Sequence, residues 1–317
     1  MVILSILALG VGHRVSIALR LSRYQKDSLK ALCLAKVGLN LAIEEIDKNK
    51  DLSSYDVLKD NWADNKEKFE KIMLNENKNE FAIVSYNVGE VGKEEAKYGV
   101  LDEESKININ INTASPYVFR ALLESCGVVA GDSVDTLANN ICAWRGDSNA
   151  PEEAKDYKNL GYECKGKSLV NNEELGLIKG IKEIEEITPD IYNKIKGLIT
   201  VHGDGLVNIN TVNDEVLKIL LNACVKELNP SPEINSDSLL KKIREAGVFK
   251  KLDDFKNVFD LNEKEVEVID KLQKLIKVRS NCFRIISVGK IANIGLERVI
   301  ECVYDRNAKK VIWQHER

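Results

Sequence analysis

NINTASPYVFRALLESC, residues 110–126, and its echo NINTVNDEVLKILLNAC, residues 208–224, decide how this chain is read. Aligned on NINT, the two segments share the residue types found at Asn110, Ile111, Asn112, Thr113, Val118, Leu122, Leu123 and Cys126. Each passes from alternating Ile and Asn into an apolar run with helical spacing. At each junction stands a helix-start signature: Ser115 before Pro116, and Asn213 before Asp214 and Glu215. The pattern predicts a duplicated helical unit. A weaker echo follows, in which Glu173, Glu174, Leu175 and Ile178 resemble Asp253, Asp254, Phe255 and Val258. Thr188-Pro189 and Asn262-Glu263 then each open another helix.

Outward from this block the period changes. Residues 81–89 (FAIVSYNVG) are β-branched and aromatic, which predicts a strand, and the Ile/Asn alternation over 107–111 predicts a second, edge-like strand with one apolar face. Residues 51–80 are polar, with Trp62, Phe69 and Met73 as isolated anchors of a loop and short helix. From Asn281 onward CFRIISVGKI, LERVIECVY and KKVIWQH, separated by NIG and DRNA, predict a three-stranded meander. At the other end, residues 1–12 carry no charge, and His13 and Arg14 close the run. Twelve residues are too few to cross a bilayer core as a helix, which takes roughly 20, so the run reads as half of a membrane helix. Leu32, Ala35, Leu39, Ala42 and Ile46 recur at spacings of three and four, giving one apolar stripe on a helix that no proline interrupts before Pro116. The stripe fits a core helix. It also fits one rod of about 70 Å, in lipid at its start and packed on a domain at its end.

The fold class is therefore α+β with an inserted all-helical region. The boundaries are a helix over 1–50, an α/β domain over 51–111 and 279–317, and helical units over 112–206 and 207–278.

Composition narrows the function. The chain has 317 residues, 44% hydrophobic and 30% charged, with net charge −4. That is a folded protein rather than a disordered one, and near-neutrality argues against a chain built mainly to grip phosphate backbones. The seven cysteines form no C-x-x-C pair, and His13, His202 and His315 are far apart. Neither a zinc finger nor a Walker, Rossmann, G-x-S-x-G or H-E-x-x-H motif occurs. Glu173-Glu174 and Asp253-Asp254 are adjacent pairs whose members point to different sides of a helix. No residue is assigned a catalytic role, no organic cofactor is expected, and the chain reads as a non-enzyme.

Four stretches carry a family resemblance: GVLDEESKINININT at 99–113, ICAWR at 141–145, EELGLIKGI at 173–181 and NINT again at 208. Their order and spacing closely resemble the minor pseudopilin K family of type II secretion systems, along nearly the whole chain. The resemblance implies a pilin-like fold, a long N-terminal helix on an antiparallel sheet, carrying a large all-α insertion of two repeated helix-hairpin-helix or SAM-like units. It implies anchorage in the bacterial inner membrane with the bulk of the chain in the periplasm. It also implies a place at the tip of the pseudopilus, in complex with I- and J-type minor pseudopilins, supporting protein export. Leu32, Leu39 and Ile46 on the N-terminal helix are then the expected partner interface. Pilin-like subunits generally carry an early glutamate that pairs with a neighbour's N-terminus, and K-type subunits resemble one another in lacking it. This chain has no acid before Asp27, and such a subunit suits the first position of a stack. The family's basic leader and full apolar run are missing, which suggests a late start or a trimmed form.

The family also resembles calcium binders in the loop after the W-R run. Here that loop offers Asp147, Asn149, Glu152, Glu153 and Asp156, oxygen ligands suited to a hard cation. Gly146 and Ser148 stand about where the family places acids, so a weakened calcium site and a solvated acidic loop both remain open. Cys142 and Cys164 bracket the loop and would staple it in an oxidising periplasm, provided their Cα atoms come within about 7 Å. The competing reading is a helix-hairpin-helix nucleic-acid-binding module, which needs basic residues around its hairpins. KEIEEITPD after Ile181 and ESCGVVAGDS around Cys126 are acidic or uncharged, so no nucleic acid is expected.

Overall fold

A computed structural model describes residues 2–52, 54–74, 76–88, 95–110, 115–129, 131–182, 187–228, 234–256 and 261–317, the two ends of the first helix (2–9 and 50–52) by backbone alone. Ile111, Asn112 and Thr113 of the repeated motif, Gly89, residues 183–186 and Val258 lie outside the described residues. In chain order the helices are α1 (Val2–Leu52), α2 (Lys66–Phe69), α3 (Pro116–Ser125), α4 (Asp132–Trp144), α5 (Glu152–Lys155), α6 (Pro189–Leu198), α7 (Asp214–Glu227), α8 (Ser236–Ala246) and α9 (Glu263–Gln273). The strands are β1 (Glu80–Val84), β2 (Tyr86–Val88), β3 (Glu95–Lys97), β4 (Leu101–Asp102), β5 (Ile107–Asn108), β6 (Ile199–Thr200), β7 (Val207–Asn208), β8 (Ile276–Lys277), β9 (Cys282–Ile291), β10 (Leu296–Asp305) and β11 (Lys310–Glu316). Two compact units result: Met1–Leu52 with Lys59–Leu101 and Phe283–Arg317, and Ser53–Leu58 with Asp102–Cys282.

The first unit is a helix on a sheet. α1 runs unbroken for 51 residues, about 75 Å. Its second half lies on an antiparallel sheet in the order β1-β9-β10-β11, with β4 also pairing with β9. The three C-terminal strands are the meander read from their alternation, with one bulge between Val303 and Tyr304 opposite β11. Trp62 and Phe69 are fully buried, Trp62 edge-on to Phe283 at 5.0 Å. The third expected anchor, Met73, is half exposed instead.

Small side chains bring α1 and the sheet close. Ala31, Ala35 and Gly38 face Ala82, Ser287 and Gly289, and the Ser287 hydroxyl donates to the Ala35 carbonyl at 2.8 Å. This corrects the reading of the apolar stripe as a partner surface. Leu39 is 7% exposed and Ile46 fully buried, both in the unit's own core, and Leu32 packs against the same core. Periodicity reveals that a helix face is covered; here the covering element is the chain's own sheet. Truncating Leu39 to Ala is therefore expected to cost about 2–3 kcal/mol in chemical denaturation of the isolated chain. A loss seen only in complex with partners would restore the interface reading.

The second unit is helical, threaded by two short parallel strand pairs. Ile107 pairs with Ile199, and Val207 with Ile276. The expected edge strand over 107–111 is thus two residues long, parallel and covered on both faces, since Ile107, Asn108 and Ile109 are all buried. Asparagine tolerates such burial because its carboxamide is satisfied locally. Asn108 accepts from the Asn110 N–H at 2.9 Å and donates to the His202 carbonyl at 2.9 Å. Asn110 clasps Leu169 by both backbone groups, donating to its carbonyl at 2.8 Å and accepting from its N–H at 2.7 Å. In the second stretch Asn208 accepts from the Asn210 N–H at 3.0 Å, and Asn210 clasps Phe249 at 2.8 and 2.9 Å. Two arginines act alike: Arg145 Nη1 donates to the Ile109 carbonyl and Arg244 Nη1 to the Ile209 carbonyl.

Candidate assembly surface

From Gly10 to Lys26 every residue of α1 is exposed, whereas burial on the sheet begins at Ala31. The projecting half carries Val11, Val15, Ile17, Leu19 and Leu21, each more than half exposed. Their cationic neighbours are Arg14, Arg20, Arg23 and Lys26, and the first acid is Asp27. Uncovered apolar surface of this extent marks a contact with protein or lipid. Among the described residues, no helix is long and apolar enough to cross a membrane.

The acidic loop lies in the second unit and lines an open cleft of about 730 Å³, with Asp147, Glu152, Asp156, Lys155, Lys158 and Tyr162 on its walls. Tyr157 packs tilted and Tyr162 edge-on against Trp144, with centroids 5.3 and 6.2 Å from the indole, and Trp144 is a core residue. Three of the carboxylates are already engaged. Asp147 accepts from Arg145 at 3.3 Å and from the Asn149 N–H at 2.9 Å. Glu152 pairs with Lys155 at 2.8 Å, and Asp156 accepts from the Lys158 N–H at 3.1 Å. The Lys179 ammonium donates to the carbonyls of Glu153 and Asp156, at 3.3 and 3.1 Å.

Asp147, Glu152 and Asp156 are thus each held by a donor of the loop itself, whereas a calcium ion takes six to eight converging oxygens. No group of three or more His, Cys, Asp or Glu able to hold a metal occurs among the described residues. Sequence reasoning counted the acids without Lys179, which reaches the loop from far along the chain. Millimolar calcium is expected to leave the melting temperature unchanged, and Lys179→Ala to lower it; a calcium-dependent rise would overturn this account of the loop.

The cysteines are free thiols. The expected Cys142–Cys164 bridge is not formed: Cys142 is buried, with its sulfur 3.9 Å from Arg145 Nη2, and Cys164 is half-buried. Burial pushes Cys126 and Cys142 up to about 11 and Cys224 and Cys302 up to about 12, so these thiols stay protonated at neutral pH.

The glycine turns that resemble a phosphate clamp have other work. The Gly127 N–H donates to the Glu124 carbonyl and the Val128 N–H to the Leu123 carbonyl, closing the end of α3, while the Ile181 N–H donates to Ile178. The acidic pair Glu173-Glu174 is ion-paired as well, Glu174 with Lys165 at 2.6 Å and Glu173 with Lys196.

No protein-family model and no curated protein matches the chain. Among solved structures it is similar to a chain of the GspK-GspI-GspJ complex from the enterotoxigenic Escherichia coli type II secretion system. That similarity has a TM-score of 0.64 and 15% identity, covering 93% of this chain and 99% of that one. The two chains share a fold, a long helix on an antiparallel sheet interrupted by a helical region.

Proposed function

We propose that this chain is a K-type minor pseudopilin of a type II secretion system. It caps the tip of the pseudopilus together with I- and J-type subunits, initiates its assembly and supports export across the outer membrane. The observation that carries this is the end-to-end likeness to a chain of the GspK-GspI-GspJ complex, which spans the helical region as well as the sheet. The projecting, uncovered half of α1 supports it, as the part of the molecule with surface to spare for neighbours and membrane. The chain is a non-enzymatic assembly subunit, anchored in the inner membrane with its bulk in the periplasm. Its helical region is a pair of duplicated helix-hairpin-helix or SAM-like units; the shared roles of Asn110 with Asn210 and of Arg145 with Arg244 support the duplication.

The test is co-purification of the full chain in detergent with the pseudopilins encoded beside its gene, with the mass of the complex measured with and without calcium. A discrete complex holding one copy of this chain is the expected result. Failure to form it, combined with salt-sensitive retention of duplex DNA, would transfer the helical region to the nucleic-acid-binding reading.

A further inference from the structure

Beside the projecting helix, the turn between β9 and β10 forms a hollow of about 480 Å³, walled by Arg20, Arg23, Tyr24 and Asp27 on one side and Ile294 to Leu296 on the other. Both walls belong to the first unit. The turn is held there by Arg298, whose Nε donates to the Ser28 hydroxyl at 2.7 Å, and by the left-handed Gly295 at φ 64°. Its tip residue, Ile294, is 53% exposed although it is a large aliphatic side chain, and Tyr24 is equally exposed.

No ion pair or hydrogen bond engages the side chains of Arg14, Arg20, Arg23 or Lys26 among the described residues, and no acid lies between Gly10 and Lys26. Asp27 is the one carboxylate on the hollow, against two guanidinium groups. Helical side chains lean toward the helix N-terminus, so Arg20 and Arg23 reach back toward the apolar end. Arginine forks match phosphate oxygens, and an exposed tyrosine beside an exposed aliphatic tip suits the boundary between headgroups and acyl chains.

We propose that this hollow docks the folded unit on an anionic phospholipid surface. Arg20 and Arg23 hold lipid phosphates, and Ile294 inserts beside them, giving the subunit a second membrane contact besides the start of α1. The inference rests on the membrane anchorage proposed above and names the lipid class. A neighbouring protein could supply carboxylates instead, but the apolar residues that continue along α1 from this point favour a bilayer.

The test is flotation of the full chain with vesicles of phosphatidylcholine alone or with about 30 mol% phosphatidylglycerol, whose negative surface potential attracts basic side chains. Wild type is expected to prefer the anionic vesicles. Arg20→Gln combined with Arg23→Gln should weaken that binding about 30-fold, at roughly fivefold for each cation near the surface. Ile294→Ser should weaken binding to both vesicle types, and Lys250→Gln with Lys251→Gln, exposed charges in the other unit, should change nothing. Unchanged circular dichroism and melting verify that the variants fold. Three results overturn the proposal: equal vesicle binding by wild type and the double arginine variant; competition by millimolar inorganic phosphate without any preference for phosphatidylglycerol; or a double arginine variant that binds vesicles as the wild type does but no longer assembles with the I- and J-type subunits that the wild type binds. If vesicle binding follows the expected pattern while no such complex forms, the lipid site stands and the pseudopilin reading falls.

Discussion

Gly289→Val is expected to separate α1 from the sheet. A Cβ added at Gly289 would lie 1.9 Å from the Ala31 carbonyl oxygen and 2.6 Å from the Ala35 nitrogen, and both are backbone atoms of a helix that cannot swing aside as a side chain would. Relief requires moving the whole helix, which would also break the 2.8 Å hydrogen bond from Ser287 to Ala35 and open the contacts of Ala31, Leu34 and Ala82. The cost should be on the order of 5 kcal/mol, in the range reserved for severe overpacking and comparable to the whole stability of many domains. The measurement is the urea midpoint, read with amide hydrogen exchange. Residues 31–46 and 282–291 should lose protection while α7 keeps it. Gly289→Ala, with the same first clash and less bulk, should fall between. Wild-type protection in Gly289→Val would mean that helix and sheet do not meet as closely as the structure places them.

Nothing in the sequence around Gly289 announces this role. SVGKI reads as an ordinary strand with a weak point, because local pattern reports which face of a strand is covered and not how near the covering backbone comes. The same limit explains the misplaced partner residues. Leu32, Leu39 and Ile46 were legible as one buried stripe from their spacing, but whether a stripe meets the chain's own sheet or another subunit is a long-range fact. The meander was legible because β9, β10 and β11 each alternate and are separated by turn-forming residues, so short-range rules suffice.

The NINT motifs show an intermediate case. The alignment that sets Asn110 opposite Asn208 matches the helix starts, Ser115 and Asn213. The side-chain roles match differently, Asn108 with Asn208 and Asn110 with Asn210, because the first stretch has extra residues between strand and helix. Letter identity was strongest where the alternating Ile and Asn allow two registers. Hydrogen bonding chooses between them: a buried carboxamide must satisfy both its ends, and only one register does so.

The remaining large effect concerns Asp102, fully buried in the second unit. Its Oδ2 accepts from the hydroxyls of Thr211 and Ser280, each at 2.5 Å, and its Oδ1 from the Glu104 N–H at 2.9 Å. These donors favour the carboxylate, yet desolvation and the nearby charges of Glu104 and Asp56 outweigh them and push Asp102 from 3.8 up to about 7. Because the folded value lies above the unfolded one, the folded state binds the extra proton between about pH 4 and 7. Stability contributed by this group is fully present below about pH 4 and is lost as pH rises toward 7, by an amount on the order of 4 kcal/mol. Glu104 is raised by burial and acts in the same direction. Glu45, Glu124, Glu174 and Glu265 are lowered despite desolvation, because lysine and arginine partners and backbone donors outweigh it; their contribution is lost only below the ordinary carboxylate range. The window from pH 5 to 7 therefore belongs mainly to Asp102 and Glu104. Asp102→Asn keeps an oxygen for the two hydroxyls and removes the titration, so its melting temperature should vary much less across that window than the wild type's. An unchanged pH slope in the variant would show that Asp102 is ionised in the fold throughout, held by its three donors.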